Sequence, residues 1–194
     1  MVVGALTLYE KRKEVLLKNV VPEEYYVPIS IIVPAHNEDV TVVETVKSLL
    51  AQEYKLYEII VVNDGSKDRT SEIAHEFEAK YPQTFKVIDK PNGHYGSCIN
   101  AALPKVHGDY VKILDADDSF DTYNFELYVR FLNENNKVDL ITNNFAIVDE
   151  KGKITEVNSL PFPVTGCFGV KCIVESDCEI IMHGVAYRSS IFTK

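Results

Sequence analysis

The feature that most constrains this chain is an alternation. Short runs of β-branched and other apolar residues each end in a polar or glycine-bearing turn, and a longer stretch with helical periodicity follows. "ISIIVP" (29–34), stopped by Pro34, and "YEIIVV" (57–62) are continuous enough to read as buried strands, and "FKVI" (85–88) and "YVKIL" (110–114) read as the third and fourth strands. Between them, "NEDVTVVETVKSLLAQ" places Val42, Val46, Leu49 and Leu50 on one helical face behind an Asn37 or Asp39 cap. "KDRTSEIAHEFEAKY" aligns Ile73 with Phe77, and "GSCINAALPKV" turns Ile99, Ala102 and Leu103 inward until Pro104 ends or kinks the helix. After the fourth strand, "TYNFELYVRFLNEN" carries a stripe of Phe125, Tyr128, Val129 and Leu132, and "VDLITNNFAIVD", "EKGK" and "KITEVN" read as a hairpin. This order predicts an α/β fold: a mixed, mainly parallel sheet with right-handed crossovers and helices on both faces.

Sheets of this kind bind ligands beyond the carboxyl ends of their strands. The segments found there are "PAHNED", "NDGSKD", "DKPNGHYG" and "DADDSFD", all polar, acidic or glycine-bearing, which points to one composite site. In the last, Asp115, Asp117 and Asp118 fall within four positions, where bare anions repel unless a cation lies between them. Mg²⁺ or Mn²⁺ suits such oxygen donors, and Mg²⁺ leaves room for substrate phosphates because it takes few protein carboxylates. Two other readings stay open: an acidic turn capping the helix near Asp121, and a phosphatase with Asp115 as nucleophile. A calcium helix-loop-helix is excluded by the missing glycine at its sixth position and by the strand before it.

Asp64 precedes Gly65 at a turn, and an ionised carboxylate, which only accepts, matches the N–H of uracil and mismatches cytosine. Gly93 and Gly96 permit close backbone approach around His94 and Tyr95, and the next helix can aim its first amides at phosphate. His94 and Lys90 themselves read as solvated loop residues. Neither a P-loop nor a G-x-G-x-x-G fingerprint is present.

With 194 residues, 46% of them hydrophobic and 25% charged, the chain suits one globular domain, and a net charge of −9 with no basic cluster opposes nucleic-acid binding. The four cysteines include no C-x-x-C pair and read as free thiols of a reducing cytoplasm, although Cys167, Cys172 and Cys178 share a segment with His183 where a metal could bind. No apolar run reaches the roughly 18 residues of a membrane span. The opening apolar burst before "YEKRK" fits either the cytoplasmic end of a membrane helix or an amphipathic helix carrying Val15, Leu16 and Leu17.

"ISIIVPAHNE", "YEIIVVNDGSKDRT", "NGHYGSCINAAL" and "GDYVKILDADD", in that order, resemble the family 2 glycosyltransferases with the nucleotide-binding GT-A fold. The likeness is close from residue 28 to about 120 and looser at "YRSSIF". It implies that Pro34, His36, Asn37 and Glu38 line a nucleotide pocket and that Asp64 reads the base. It further implies that Asn92, Gly93 and Gly96 border the nucleotide, that Asp115 and Ala116 lie near the ribose and diphosphate, and that Asp117, with Asp115, ligates Mg²⁺ or Mn²⁺.

The implied reaction is inverting transfer from a nucleotide-sugar, most simply a UDP-sugar, to a glycan or other hydroxyl acceptor. The alternatives are a phosphatase or a non-catalytic nucleotide-sugar-binding fragment. The family's general base stands downstream of the "YRSSIF" region, so the resemblance implies truncation before it, and Glu175, Asp177 and Glu179 match no such pattern. The helix after Tyr95 lacks the basic residue many relatives carry. The implied organisation is an N-terminal, juxtamembrane extension (1–27), a nucleotide-sugar half (28–120) and a partial acceptor half (121–194), in the cytoplasm or at the inner face of a membrane through the parent protein.

Overall fold

In a computed structural model, residues 27–52, 54, 56–120, 122–135, 137–142, 145–149, 153–158 and 184–192 are described. Strand β1 (Ile29–Ala35) leads to helix α1 (Thr41–Leu50), β2 (Tyr57–Asp64) to α2 (Thr70–Lys80), and β3 (Phe85–Lys90) to α3 (His94–Ala102). Then come β4 (Tyr110–Ile113), α4 (Thr122–Glu134), β5 (Leu140–Thr142), β6 (Phe145–Val148), β7 (Ile154–Asn158) and β8 (Val185–Arg188). The main sheet runs β3-β2-β1-β4-β8-β5, parallel from β3 to β4, with β8 antiparallel to both its neighbours.

Every residue of β1 is buried, the lone polar one, Ser30, with its hydroxyl bonded to Glu58 and the Gly108 amide. One face of the sheet packs Ile31, Val33 and Ile59 against Val42, Val46 and Leu49 of α1 and Phe125, Val129 and Leu132 of α4. The other places Ile32, Ile60 and Ile113 against Cys98 and Ala102 of α3. Each buried Val, Ile, Leu or Phe among them contributes about 1.5–3 kcal/mol, so the two faces together fix the strand ends relative to one another.

Pro34 does not stop β1. It pairs with Val62 of β2, and its missing N–H falls on the β4 side, where pairing has already ended at Ile32–Ile113. Neither Asn37 nor Asp39 caps α1. The residue before the helix is Val40 without a side-chain cap, and the Val42 amide reaches the Glu38 carbonyl at 2.9 Å. Helix α3 starts at His94, earlier than expected, and Leu103–Lys105 tightens into a 3-10 turn around Pro104. The expected hairpin is β6–β7, while β5 joins the main sheet. Residues 1–26, Cys167, Cys172, Cys178, His183, Glu175, Asp177 and Glu179 lie outside the described residues.

Candidate functional site

At the carboxyl ends of β1, β2 and β4, beside the start of α3, lies an open cleft of about 320 Å³. It falls where the strand order reverses between β1 and β4, the usual ligand position in an open α/β sheet. Pro34, His36, Glu38, Asp64, Asn92, Asp115, Ala116 and Asp117 line it; Asn37, Gly93 and Gly96 do not. Ala35, Tyr95 and Cys98 also line it, without having been singled out as cleft residues by the sequence, and His94 faces it rather than bulk solvent alone.

The turn after β1 is held by the turn after β2. His36 Nδ1 lies 2.7 Å from the Asp64 carbonyl, which can only accept, so Nδ1 carries the hydrogen and Nε2 accepts from Asn37 Nδ2 at 3.0 Å. Asn37 adopts a left-handed φ of 57°. Its amide donates to Ser66 Oγ at 3.0 Å, and its Oδ1 accepts from the Lys67 amide at 2.8 Å. Asn37 therefore staples two turns instead of facing the cleft. Gly65, at φ +68°, is required here on two counts, since a Cβ would lie 2.8 Å from the Asn92 nitrogen.

Asp64 is buried at the end of β2. Burial alone would raise its pKa, but hydrogen bonds from Lys90 and the Gly93 amide, with the Lys90 charge, reverse that and hold it below the usual carboxylate range. Lys90 Nζ forms an ion pair with Oδ1, and the Gly93 amide donates to the same oxygen at 2.9 Å. This partnership is readable from strand register, which places Lys90 of β3 opposite Asp64.

Across the cleft the acidic turn is anchored from beneath. The Asp118 amide closes it on the Asp115 carbonyl at 3.0 Å. The buried Thr45 hydroxyl of α1 is shared between the Ala116 and Asp118 carbonyls at 2.7 and 2.9 Å. Tyr95 donates to Asp115 Oδ1 at 2.8 Å. A basic group is buried near the turn: Lys112, 1% exposed, lies with Nζ 5.9 Å from the Phe120 ring centre and 5.6 Å from that of Tyr128. Burial pushes its pKa down to about 7, against the opposing pull of Asp118. Of the three acids of the turn, Asp118 is the one whose charge acts on Lys112.

For a metal, the cleft offers Asp115 and the exposed Asp117. No group of three or more His, Cys, Asp or Glu suited to a metal occurs among the described residues. Two carboxylates fit a Mg²⁺ or Mn²⁺ that takes its other ligands from substrate and water, and do not fit a cage made wholly of protein.

A parallel-centred sheet with an acidic cleft at its switch point defines an α/β domain of the doubly wound type. The sequence profile described as Glycosyl transferase family 2 matches residues 30–188, and the chain belongs to that family. An uncharacterized glycosyltransferase of Rickettsia conorii is 37% identical over 131 residues, 66% of this chain and 21% of its own length. The poly-beta-1,6-N-acetyl-D-glucosamine synthase of Staphylococcus epidermidis is 30% identical over 72% of this chain and 34% of its own length. The chain spans only 19% to 38% of the first four curated relatives. Among solved structures, S. aureus TarS 1–349 in complex with UDP aligns with a TM-score of 0.62 at 22% identity, over 86% of this chain and 48% of that one. The mannosyltransferase PcManGT from Pyrobaculum calidifontis, with GDP-Man and Mn²⁺, aligns at 0.55 and 21% identity over 76% and 44%. These likenesses show the GT-A fold. No helix among the described residues is long and apolar enough to cross a membrane.

Proposed function

We propose that this chain is the donor-binding part of a glycosyltransferase that moves a sugar from a UDP-sugar to a hydroxyl of a glycan or similar acceptor. The observation that carries this reading is the placement of Asp64 and the Asp115–Asp117 turn in one cleft at the strand ends. It is supported by family membership and by the S. aureus TarS structures in complex with UDP and UDP-GlcNAc. In this reading residues 28–120 form the nucleotide-sugar half and 121–194 part of the acceptor half.

Asp64, held ionised, accepts the N–H of uracil. Pro34, His36 and Glu38 shape the nucleotide end of the cleft, with Asn37 bracing them from behind. Asn92 borders the nucleotide, while Gly93 stands behind the cleft with its amide on Asp64. Asp115 and Ala116 adjoin the ribose and diphosphate. Asp115 and Asp117 hold Mg²⁺ or Mn²⁺, which when bound offsets negative charge on the departing diphosphate. Transfer inverts the anomeric carbon: the acceptor oxygen forms its bond as the bond to UDP breaks, and the acceptor proton passes to a base outside the set assigned here.

A phosphatase acting through Asp115 leaves Asp64 and the turn after β1 without a task. Calorimetry with UDP, CDP and GDP, each with Mn²⁺ and with chelator, tests the reading: UDP binds tightest and only with metal. Absence of a metal-dependent uridine preference overturns it. Turnover of a UDP-sugar with added glycan acceptor separates transfer from donor binding alone.

A further inference from the structure

Lys90 has three hydrogens to give, and all three are committed. They go to Asp64 Oδ1, to the Pro91 carbonyl at 2.7 Å and to Ser97 Oγ at 2.8 Å. Ser97 in turn donates to the His94 carbonyl at 2.7 Å, and the Gly93 amide returns to Asp64 Oδ1. The result is a closed ring of bonds joining the end of β2, the end of β3, the 91–93 loop and the first turn of α3. The ring needs glycine at 93, because a Cβ there would lie 2.7 Å from Ser97 Oγ and 3.1 Å from Lys90 Nζ.

Lys90 is not among the residues lining the cleft, so its role is indirect. We propose that Lys90 is the positioning residue for base selection: it turns Asp64 Oδ1 inward, keeps the carboxylate ionised, and leaves Oδ2 to accept the N–H of uracil. The proposal rests on the reading of Asp64 as the base contact. The bonds from Lys90 and the Gly93 amide both fall on Oδ1, and the His94 amide and the Cys98 thiol also act on this carboxylate. An ionised Asp64 rejects cytosine, whose ring nitrogen at the same place is also an acceptor. A protonated Asp64 can donate to that nitrogen, and the rejection fails.

The burial of Asp64 is what makes the lysine matter. Without Lys90 the desolvation that raises the Asp64 pKa is opposed mainly by backbone amides, so protonation moves toward neutral pH. The other titratable groups around Asp64 are His36 from the turn after β1, His94, Tyr95 and Cys98 from α3, and Glu38, Asp115 and Asp117 elsewhere in the cleft. All of them persist in a Lys90 variant, so a comparison with the unaltered chain isolates the lysine.

The test measures UDP and CDP affinities with Mn²⁺ by calorimetry from pH 6 to pH 8.5 for the whole chain. The unaltered chain keeps one UDP-to-CDP ratio throughout. In Lys90→Met the ratio falls about tenfold at pH 6 and recovers as pH rises, the equivalent of one lost discriminating hydrogen bond, while Lys90→Arg keeps the original profile. A ratio in Lys90→Met that matches the unaltered chain at every pH, or an equal loss for both nucleotides, overturns the proposal. If circular dichroism shows Lys90→Met unfolded, Lys90→Gln, which keeps a donor without the charge, supplies the same comparison. Asp64→Asn separates the two assignments: retention of uridine preference there removes the base-reading role itself, whereas its loss beside an unchanged Lys90→Met removes only the role of Lys90.

Discussion

The Tyr95 hydroxyl donates to Asp115 Oδ1 at 2.8 Å, tying the first turn of α3 to the acidic turn after β4 across the cleft. Burial, then the hydrogen bond to Asp115 and its charge, push the phenol pKa well above its ordinary value, so Tyr95 stays a donor throughout the working pH range. One carboxylate of the proposed metal pair therefore arrives already oriented.

Tyr95→Phe removes that orientation without removing the carboxylate. Tyr95 is 38% exposed, which discounts the bond to about 1 kcal/mol, and Mn²⁺-dependent UDP affinity is expected to fall roughly fivefold. Calorimetry on the variant checks it. An affinity equal to that of the unaltered chain would show that Asp115 is held by its other contacts.

Asp117 is exposed in the turn after β4, and in the proposed reading it is a ligand of the cation. Asp117→Asn is expected to lower UDP affinity in Mn²⁺ to the level seen in chelator, and to leave the chelator value unchanged. A variant that still gains affinity from Mn²⁺ places the metal elsewhere.

The four parallel strands, their crossover helices and their polar ends were legible because each rests on a short-range pattern, although β3, at the sheet edge, is only partly buried. What escaped was decided by pairs distant in sequence. Asn37 has the chemistry of a cap, yet the nearby turn after β2 offers Ser66 and Lys67, and these outcompete the helix for it. Lys90 read as a solvated loop residue because its partner is 26 residues away, and only the β2–β3 register brings the two together. Tyr95 belongs to no apolar stripe, so periodicity gave it no weight.

Thr45 lies in the middle of α1, where sequence offers no reason for a polar residue, and it is 2% exposed. Its hydroxyl serves both the Ala116 and Asp118 carbonyls. Thr45→Val keeps the volume and orphans these acceptors, a loss of about 1–3 kcal/mol in unfolding free energy by denaturant titration. Thr45→Ser is expected to recover most of it. Equal stability of the Val and Ser variants would assign the carbonyls to water.

Lys112 carries a stability cost with a definite pH signature. Its pKa in the folded chain is about 7 against an ordinary 10.5, so between these values the unfolded chain binds the proton more strongly than the folded one. Stability attributable to this group therefore rises as pH rises from about 7 to 10.5, and the penalty is full at and below the lower value. Lys112→Met keeps an apolar chain between Phe120 and Tyr128 and removes the desolvation cost of the ammonium. The variant is expected to be more stable by denaturant titration at pH 7, with the gain shrinking toward pH 10. A gain of the same size at both values would locate the effect in packing and not in the buried ammonium.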